Sequence, residues 1–366
     1  MINLRKLFAD VFDPQPGETA LVLIDLPHDQ LFDTPEWAQR REMARRWHAA
    51  LRDFGTQRHF EVLPLASYLA TGAHNRQLPA EASIDGQAVA LDQLAEQATL
   101  VLALTQFSAS APLVAWTERL PRLRVASMPL IAPSMEETAL AADYSEIARS
   151  CAALRQHLEG AQYARIKFSN GDTLLLDLRF RSPRVDDGQL RPNKASARIV
   201  NLPSGEAYIA PYEGEREGIP SQTRGVLPVF WRNDIVRLEV AQNRIVEILG
   251  RTEAAADLRN FLTLDGARRN VAELGLGCNP LARVWGNVLE DEKAGPHIAL
   301  GRSEHLGGVV GPDAFDDPRH IWHQDFVYAR ESPIHVAELT LFDGNQGRYQ
   351  LVYQGEYLLN ALALAH

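Results

Sequence analysis

ARIKFSNGDTLLLDLRF, residues 164–180, sets an Asn-Gly pair between two strand-like runs, which is a strong hairpin signal. It also marks where the texture of the chain changes. Before about residue 160, apolar runs at 19–27 (TALVLIDLP), 59–68 (HFEVLPLASY), 98–107 (ATLVLALTQF) and 123–131 (LRVASMPLI) alternate with helical stretches near 35–53, 110–119 and 135–158. Strands interleaved with helices imply a small α/β domain with a mainly parallel sheet. After the hairpin, β-rich pieces follow at 195–211, 225–249, 335–342 and 347–359, with helices only near 253–264 and 281–290. That pattern implies an α+β domain with a mainly antiparallel or mixed sheet. The expected domains are residues 1–157 and 158–366, with the boundary between about 152 and 164 and no Pro/Gly linker. RSPRVDDGQLRPNKAS, residues 181–196, reads as a loop or flap.

Length and composition agree with two folded domains. The chain has 366 residues, 46% of them hydrophobic, enough for a sizeable core. With 37 Lys+Arg against 47 Asp+Glu the formal charge is −10, so a nucleic-acid or anionic-membrane surface would have to be local, and none is evident. The densest basic segment, RREMARR at 40–46, reads as a solvated helix face. The N-terminal MINLRKLFADVFD lacks a signal-peptide pattern, and no apolar run approaches the ~18 residues of a membrane helix. A cytoplasmic location is the expectation. Cys151 and Cys278 form no CxxC pair, so they suggest neither a disulfide framework nor a thiolate zinc site.

The chemistry concentrates in the second half. In WHQDF, residues 322–326, His323 and Asp325 are two apart, so in a strand they project to one side. An imidazole and a carboxylate together suit Zn²⁺, Mn²⁺ or Fe²⁺. His297, in EDEKAGPHIALG, offers a third ligand from an adjacent element. Glu206 in NLPSGEAYIAP and Glu273 in NVAELGLGCNP stand in apolar, Gly-rich settings where an unpaired charge is costly. Gly275 and Gly277 resemble half a dinucleotide fingerprint, but no helix pattern begins after Pro280 where that motif requires one.

Four ordered strings, NLPSGEAYIAPYEG (201–214), AELGLGCNP (272–280), EDEKAGPHIALG (290–301) and WHQDF (322–326), resemble the metallo-aminopeptidases of the aminopeptidase T type. That resemblance covers about residues 200–326 and implies a cytosolic dinuclear exopeptidase acting on small peptides as a homodimer. By it, Glu206, Glu273, His297, His323 and Asp325 correspond to metal ligands for two divalent ions, zinc, cobalt or manganese. Two neighbouring ions need several carboxylates, at least one of them bridging, and three carboxylates with two imidazoles meet that need. Glu273 is the expected proton acceptor and possible bridge. A spare carboxylate such as Glu213 or Glu304 is a candidate to meet the substrate's α-amine. Members of the family carry a catalytic tyrosine seven residues after the histidine matched by His297; here that position is Glu304. Tyr328 is therefore the expected catalytic tyrosine, with His305 and Arg302 as other candidates for stabilising an oxyanion.

Two other readings compete. Ring-cleaving dioxygenases resembling 2,5-dihydroxypyridine dioxygenase use the same fold and hold one Fe²⁺ with two histidines and an aspartate, a role open to His297, His323 and Asp325. Such a triad has no use for both Glu206 and Glu273. A catalytically inactive peptide-binding homologue is the third.

Overall fold

The computed structural model describes residues 2–192, 198–344 and 347–358. The chain divides into two compact units: residues 1–148, 186–204 and 280–283 form one, and residues 149–185, 205–279 and 284–366 the other. A single helix, Tyr144–Glu159, runs through the place where a division at 157/158 was expected, and the first unit takes back two later segments. Of the proposed loop at 181–196, residues 184–186 are a short strand and 193–196 lie outside the described residues.

In the first unit the apolar runs become a mainly parallel sheet. Thr19–Leu26 pairs in parallel with Glu61–Val62, Ala66–Leu69 and Leu100–Leu104. Arg124–Ser127 and then Ile199–Asn201 continue it in parallel, while Glu81–Ile84 and Gln87–Ala90 extend the far side antiparallel. The helix Pro35–Arg58 starts where Thr34 accepts a hydrogen bond from Trp37 N and Pro35 supplies a preset φ. It ends where His59 turns left-handed at φ 61°. Leu21, Leu23, Val101, Leu113, Trp116 and Val125 belong to one buried cluster, each aliphatic contributing roughly 1.5–3 kcal/mol before the cost of ordering.

The second unit holds two largely antiparallel sheets. One is eight-stranded and contains the predicted hairpin: Tyr163–Phe168 pairs with Thr173–Asp177, and Gly171 takes φ +89° in the turn. The β-rich stretch 225–249 resolves into Arg224–Trp231, Asp234–Ala241 and Arg244–Leu249, joined by the left-handed pairs Arg232-Asn233 and Gln242-Asn243. The expected helix at 281–290 shrinks to Val288–Asp291, whereas Glu253–Thr263 matches its expectation.

The second sheet runs Arg184–Asp186, Glu206–Ile209, Val271–Gly277, Pro296–Gly301, His323–Val327. On one side of it Ala207, Ile209, Leu274, Leu276, Ile298 and Leu300 are all buried, so these strands cannot slip register without exposing that layer. Among the described residues, no helix is long and apolar enough to cross a membrane.

Candidate metal centre

Register alone puts the five predicted side chains on one face. Glu206 pairs with Gly277, Gly275 with His297, Ala299 with both Glu273 and Asp325, and Gly301 with His323. Directly paired residues share a face, as do residues two apart along a strand. Glu206, Glu273, His297, His323 and Asp325 therefore all lie opposite the apolar layer. The remaining positions of that face along Glu273–Gly277 and His297–Gly301 are Gly275, Gly277, Ala299 and Gly301, too small to obstruct the longer side chains. A Cβ on Gly275 would stand 1.9 Å from His297 Nε2, so the imidazole lies directly on that glycine. A Cβ on Gly277 would meet Glu292 O at 2.2 Å, because the backbone of residues 292–295 folds over it. Those two glycines thus make room for a ring and a chain segment.

Both imidazoles are oriented by backbone. His323 Nδ1 lies 2.7 Å from Arg302 O, and His297 Nδ1 lies 3.3 Å from Gly295 O. A carbonyl oxygen only accepts, so each Nδ1 carries the proton and each Nε2 is presented to the carboxylates. Glu273 sits between them: its Oε1 is 3.7 Å from His297 Nε2 and its Oε2 is 3.4 Å from His323 Nε2. His297 Nε2 also stands 3.3 Å from Glu206 Oε2, and His323 Nε2 stands 3.5 Å from Asp325 Oδ1. Ligand-type atoms consequently gather in two threes, Glu206–Glu273–His297 and Glu273–His323–Asp325, with Glu273 common to both.

Electrostatics tie the groups together. Burial by itself would raise Glu273, but the facing imidazoles of His297 and His323 bring its carboxyl down to about 2. Burial likewise opposes the charge on Glu206 and Asp325, and Lys293 with His297 in the first case and His323 in the second hold them below the usual range. Burial disfavours charged imidazoles, yet the facing carboxylates raise His297 and His323 well above the ordinary value. Protons occupy the positions that a cation would take, so metal must displace them.

The donor set fits divalent metal. Three carboxylates and two backbone-oriented imidazoles are a hard, anionic set, and Glu206 Oε2 is buried without an aligned hydrogen-bond partner despite its nearness to His297. Packing this many ionised groups into an interior is rarely justified by stability, since buried pairs often cost more than apolar replacements.

Two neighbours in EDEKAGPHIALG were not among the predicted site residues. Lys293 is fully buried, with Nζ 2.6 Å from Glu206 Oε1 and 2.7 Å from Glu292 Oε1. Burial raises the Glu292 carboxyl to about 8, with Lys293 opposing and Glu206 and Asp325 adding to the rise.

Other expectations are corrected. Tyr328 is not brought to the cluster: its hydroxyl donates to Pro228 O at 2.7 Å and its ring packs on Phe168. Replacing it with phenylalanine is expected to cost about 1 kcal/mol of stability, one hydrogen bond, with turnover unchanged. Thermal melts and steady-state rates together check this; a large loss of turnover with an unshifted melt contradicts the placement. Glu213 is not a spare carboxylate either. It accepts from Ser303 Oγ and Asn270 Nδ2 at 2.6 Å each, from Val309 N at 2.5 Å and from Arg181, so it pins the loop after Gly301. Glu304 is held by both nitrogens of the Arg302 fork. Its neighbour His305 does reach the cluster, its ring 5.1 Å from that of His323. Cys151 and Cys278, 127 residues apart in sequence, bring their sulfurs to 3.5 Å within the second unit.

No curated protein matches the sequence. Among solved structures, 2,5-dihydroxypyridine dioxygenase from Pseudomonas putida KT2440 superposes with a TM-score of 0.61 at 15% identity, covering 97% of each chain. AmpT from Thermus thermophilus superposes with a TM-score of 0.53 at 15% identity, covering 98% of this chain and 99% of its own. At such identities the likeness is one of fold. A family model described as thermophilic metalloprotease (M29) matches residues 125–308, a stretch that includes Glu206, Glu273 and His297 and ends before His323. Since that match spans half of its length, the chain belongs to the thermophilic metalloprotease (M29) family.

Proposed function

We propose that this metallopeptidase is an exopeptidase that removes N-terminal residues from small peptides. The observation that carries the reading is the sharing of Glu273: one of its oxygens faces each imidazole, so that two sets of donors meet at one carboxylate. In this reading Glu206 and His297 hold one divalent ion, His323 and Asp325 hold a second, and Glu273 serves both. Zinc, cobalt or manganese suits such donors. Divalent ions bound there supply Lewis acidity, polarising a carbonyl oxygen and making a water acidic near neutral pH.

The chain's own residues do the rest. The carboxylates offset the ionic charge, and the Nδ1 contacts of His297 and His323 fix the rings before substrate arrives. The buried apolar layer beneath keeps the strands in register. A cytoplasmic homodimer, as the resemblance to the aminopeptidase T type implies, is part of the same proposal.

A mononuclear iron site built from His297, His323 and Asp325 receives less support. His297 groups with Glu206 and Glu273, whereas His323 and Asp325 group with each other and Glu273. The deciding assay offers protein loaded with zinc, cobalt or manganese a leucine anilide with a free amine and the same anilide N-acetylated. Cleavage of the free-amine substrate alone is expected. Cleavage of neither, or oxygen consumption with a dihydroxypyridine under Fe²⁺, overturns the proposal.

A further inference from the structure

We propose that Cys151 and Cys278 form a redox-modification site, in which a hydroperoxide converts the two thiols to a disulfide and the new bond loosens the Glu206 side of the metal centre. Closure of the bond does not depend on the peptidase reading, which enters only where turnover is measured. The sulfurs lie 3.5 Å apart although 127 residues separate them in sequence. Helix Tyr144–Glu159 supplies one, and the residue after strand Val271–Gly277 supplies the other. A disulfide sets its sulfurs about 2.05 Å apart, so an approach of roughly 1.5 Å makes the bond. Neither sulfur joins the two sets of metal donors found among the described residues, so the pair stands outside the centre. Exposure orders the two: Cys151 is fully buried and Cys278 keeps 9%, which makes Cys278 the sulfur that an oxidant meets first.

Cys278 is tied to the site on both sides. Its own N–H donates to Gly205 O at 2.7 Å, and Gly205 precedes the ligand Glu206. The next residue, Asn279, donates its N–H to Lys293 O at 3.0 Å, and Lys293 Nζ lies 2.6 Å from Glu206 Oε1. Little slack separates these segments: a Cβ on Gly205 would stand 2.9 Å from Asn279 Cβ and 3.2 Å from Asn279 N. Closing the gap between the sulfurs therefore shifts the backbone on which Glu206 and Lys293 depend. His323 and Asp325 lie two strands further across the sheet, off that path.

The chemistry balances with the hydroperoxide as the sole oxidant. The Cys278 thiolate attacks a peroxide oxygen, the O–O bond breaks, and the alcohol, or water in the case of hydrogen peroxide, leaves with a proton. Cys151 sulfur then attacks the sulfur of the resulting sulfenic acid. The S–S bond forms as the S–O bond breaks, and the Cys151 proton leaves with the oxygen as water. The thiols have lost two hydrogens and two electrons, and the peroxide has taken both. Exchange with a small dithiol reverses the step.

The test exposes zinc-loaded protein to hydrogen peroxide, because Zn²⁺ itself has no redox chemistry. Thiols are titrated after unfolding, intact mass is recorded, and zinc affinity is measured by competition with a chelating dye. Neither of the chain's two cysteines is expected to titrate after oxidation, and the mass is expected to show two hydrogens lost and no oxygen gained. Zinc affinity is expected to fall about 10- to 100-fold and to recover with dithiothreitol. Cys151→Ala is expected to keep wild-type affinity before and after peroxide. Thiols that survive peroxide in the wild type, or oxygen gained without hydrogen lost, overturn the site. A disulfide that leaves zinc affinity unchanged overturns its link to Glu206, as does an equal fall in Cys151→Ala. A reduced, zinc-loaded wild type inactive on the free-amine anilide defeats the peptidase reading and leaves the thiol and zinc results standing, which separates the two failures.

Discussion

Glu273→Gln is expected to yield a folded protein that no longer retains a full complement of metal and hydrolyses the free-amine anilide at least about a thousandfold more slowly, roughly 4 kcal/mol of lost transition-state stabilisation. The strand that carries it, Val271–Gly277, is held by ladders on both sides and by Leu274 and Leu276 beneath, so the fold does not depend on this carboxylate. The site does. Glu273 is common to both donor sets, and its two oxygens face His297 and His323. An amide of the same shape removes the charge from both sets at once and turns an NH₂ group toward an imidazole. Circular dichroism, metal analysis and steady-state kinetics on one preparation check the prediction. Retention of full metal with turnover within tenfold of wild type would remove Glu273 from the centre.

Gly275→Ala has the second-largest expected effect, and it comes from a single methyl group. The new Cβ would lie 1.9 Å from His297 Nε2 and 2.2 Å from Cε1. Retreat is blocked, because Nδ1 is tied to Gly295 O and the His297 backbone is paired opposite both Gly275 and Val327. The ring must rotate away from Glu206 and Glu273. Overpacking of this kind costs about 1–3 kcal/mol of stability. The larger consequence is chemical: His323 and Asp325 keep their places while the Glu206–His297 side loses its imidazole. Metal content is expected to fall to about half and kcat/KM by at least about a hundredfold. Gly160→Ala, where an added Cβ meets nothing within 4 Å, serves as the control. Wild-type metal content in Gly275→Ala would show that His297 is not a ligand.

Much of the site was legible in the sequence because its logic is local. Period-two alternation places His323 and Asp325 on one side; the same rule, had it been applied to Tyr328 at its odd spacing from both, would have spoken against the catalytic role expected for that residue, whose hydroxyl is spent on Pro228 O. The Asn170-Gly171 turn announced its hairpin for an equally local reason. What escaped the sequence depends on contacts between distant segments. Lys293 drew no reading of its own from the sequence, yet it is wholly buried because its backbone folds across Gly277. Gly275 and Gly277 suggested only half a dinucleotide fingerprint, whereas their role is the space they leave for His297 and residues 292–295. The return of Ile199–Asn201 to the first unit's sheet is a parallel pairing with Arg124–Ser127, formed across a separation that no local pattern encodes.

Elemental analysis of protein purified anaerobically, expressed as metal per subunit, decides whether Glu206, Glu273, His297, His323 and Asp325 together hold two divalent ions through one shared carboxylate. Two ions of zinc, cobalt or manganese per subunit are predicted; a single iron per subunit would contradict it.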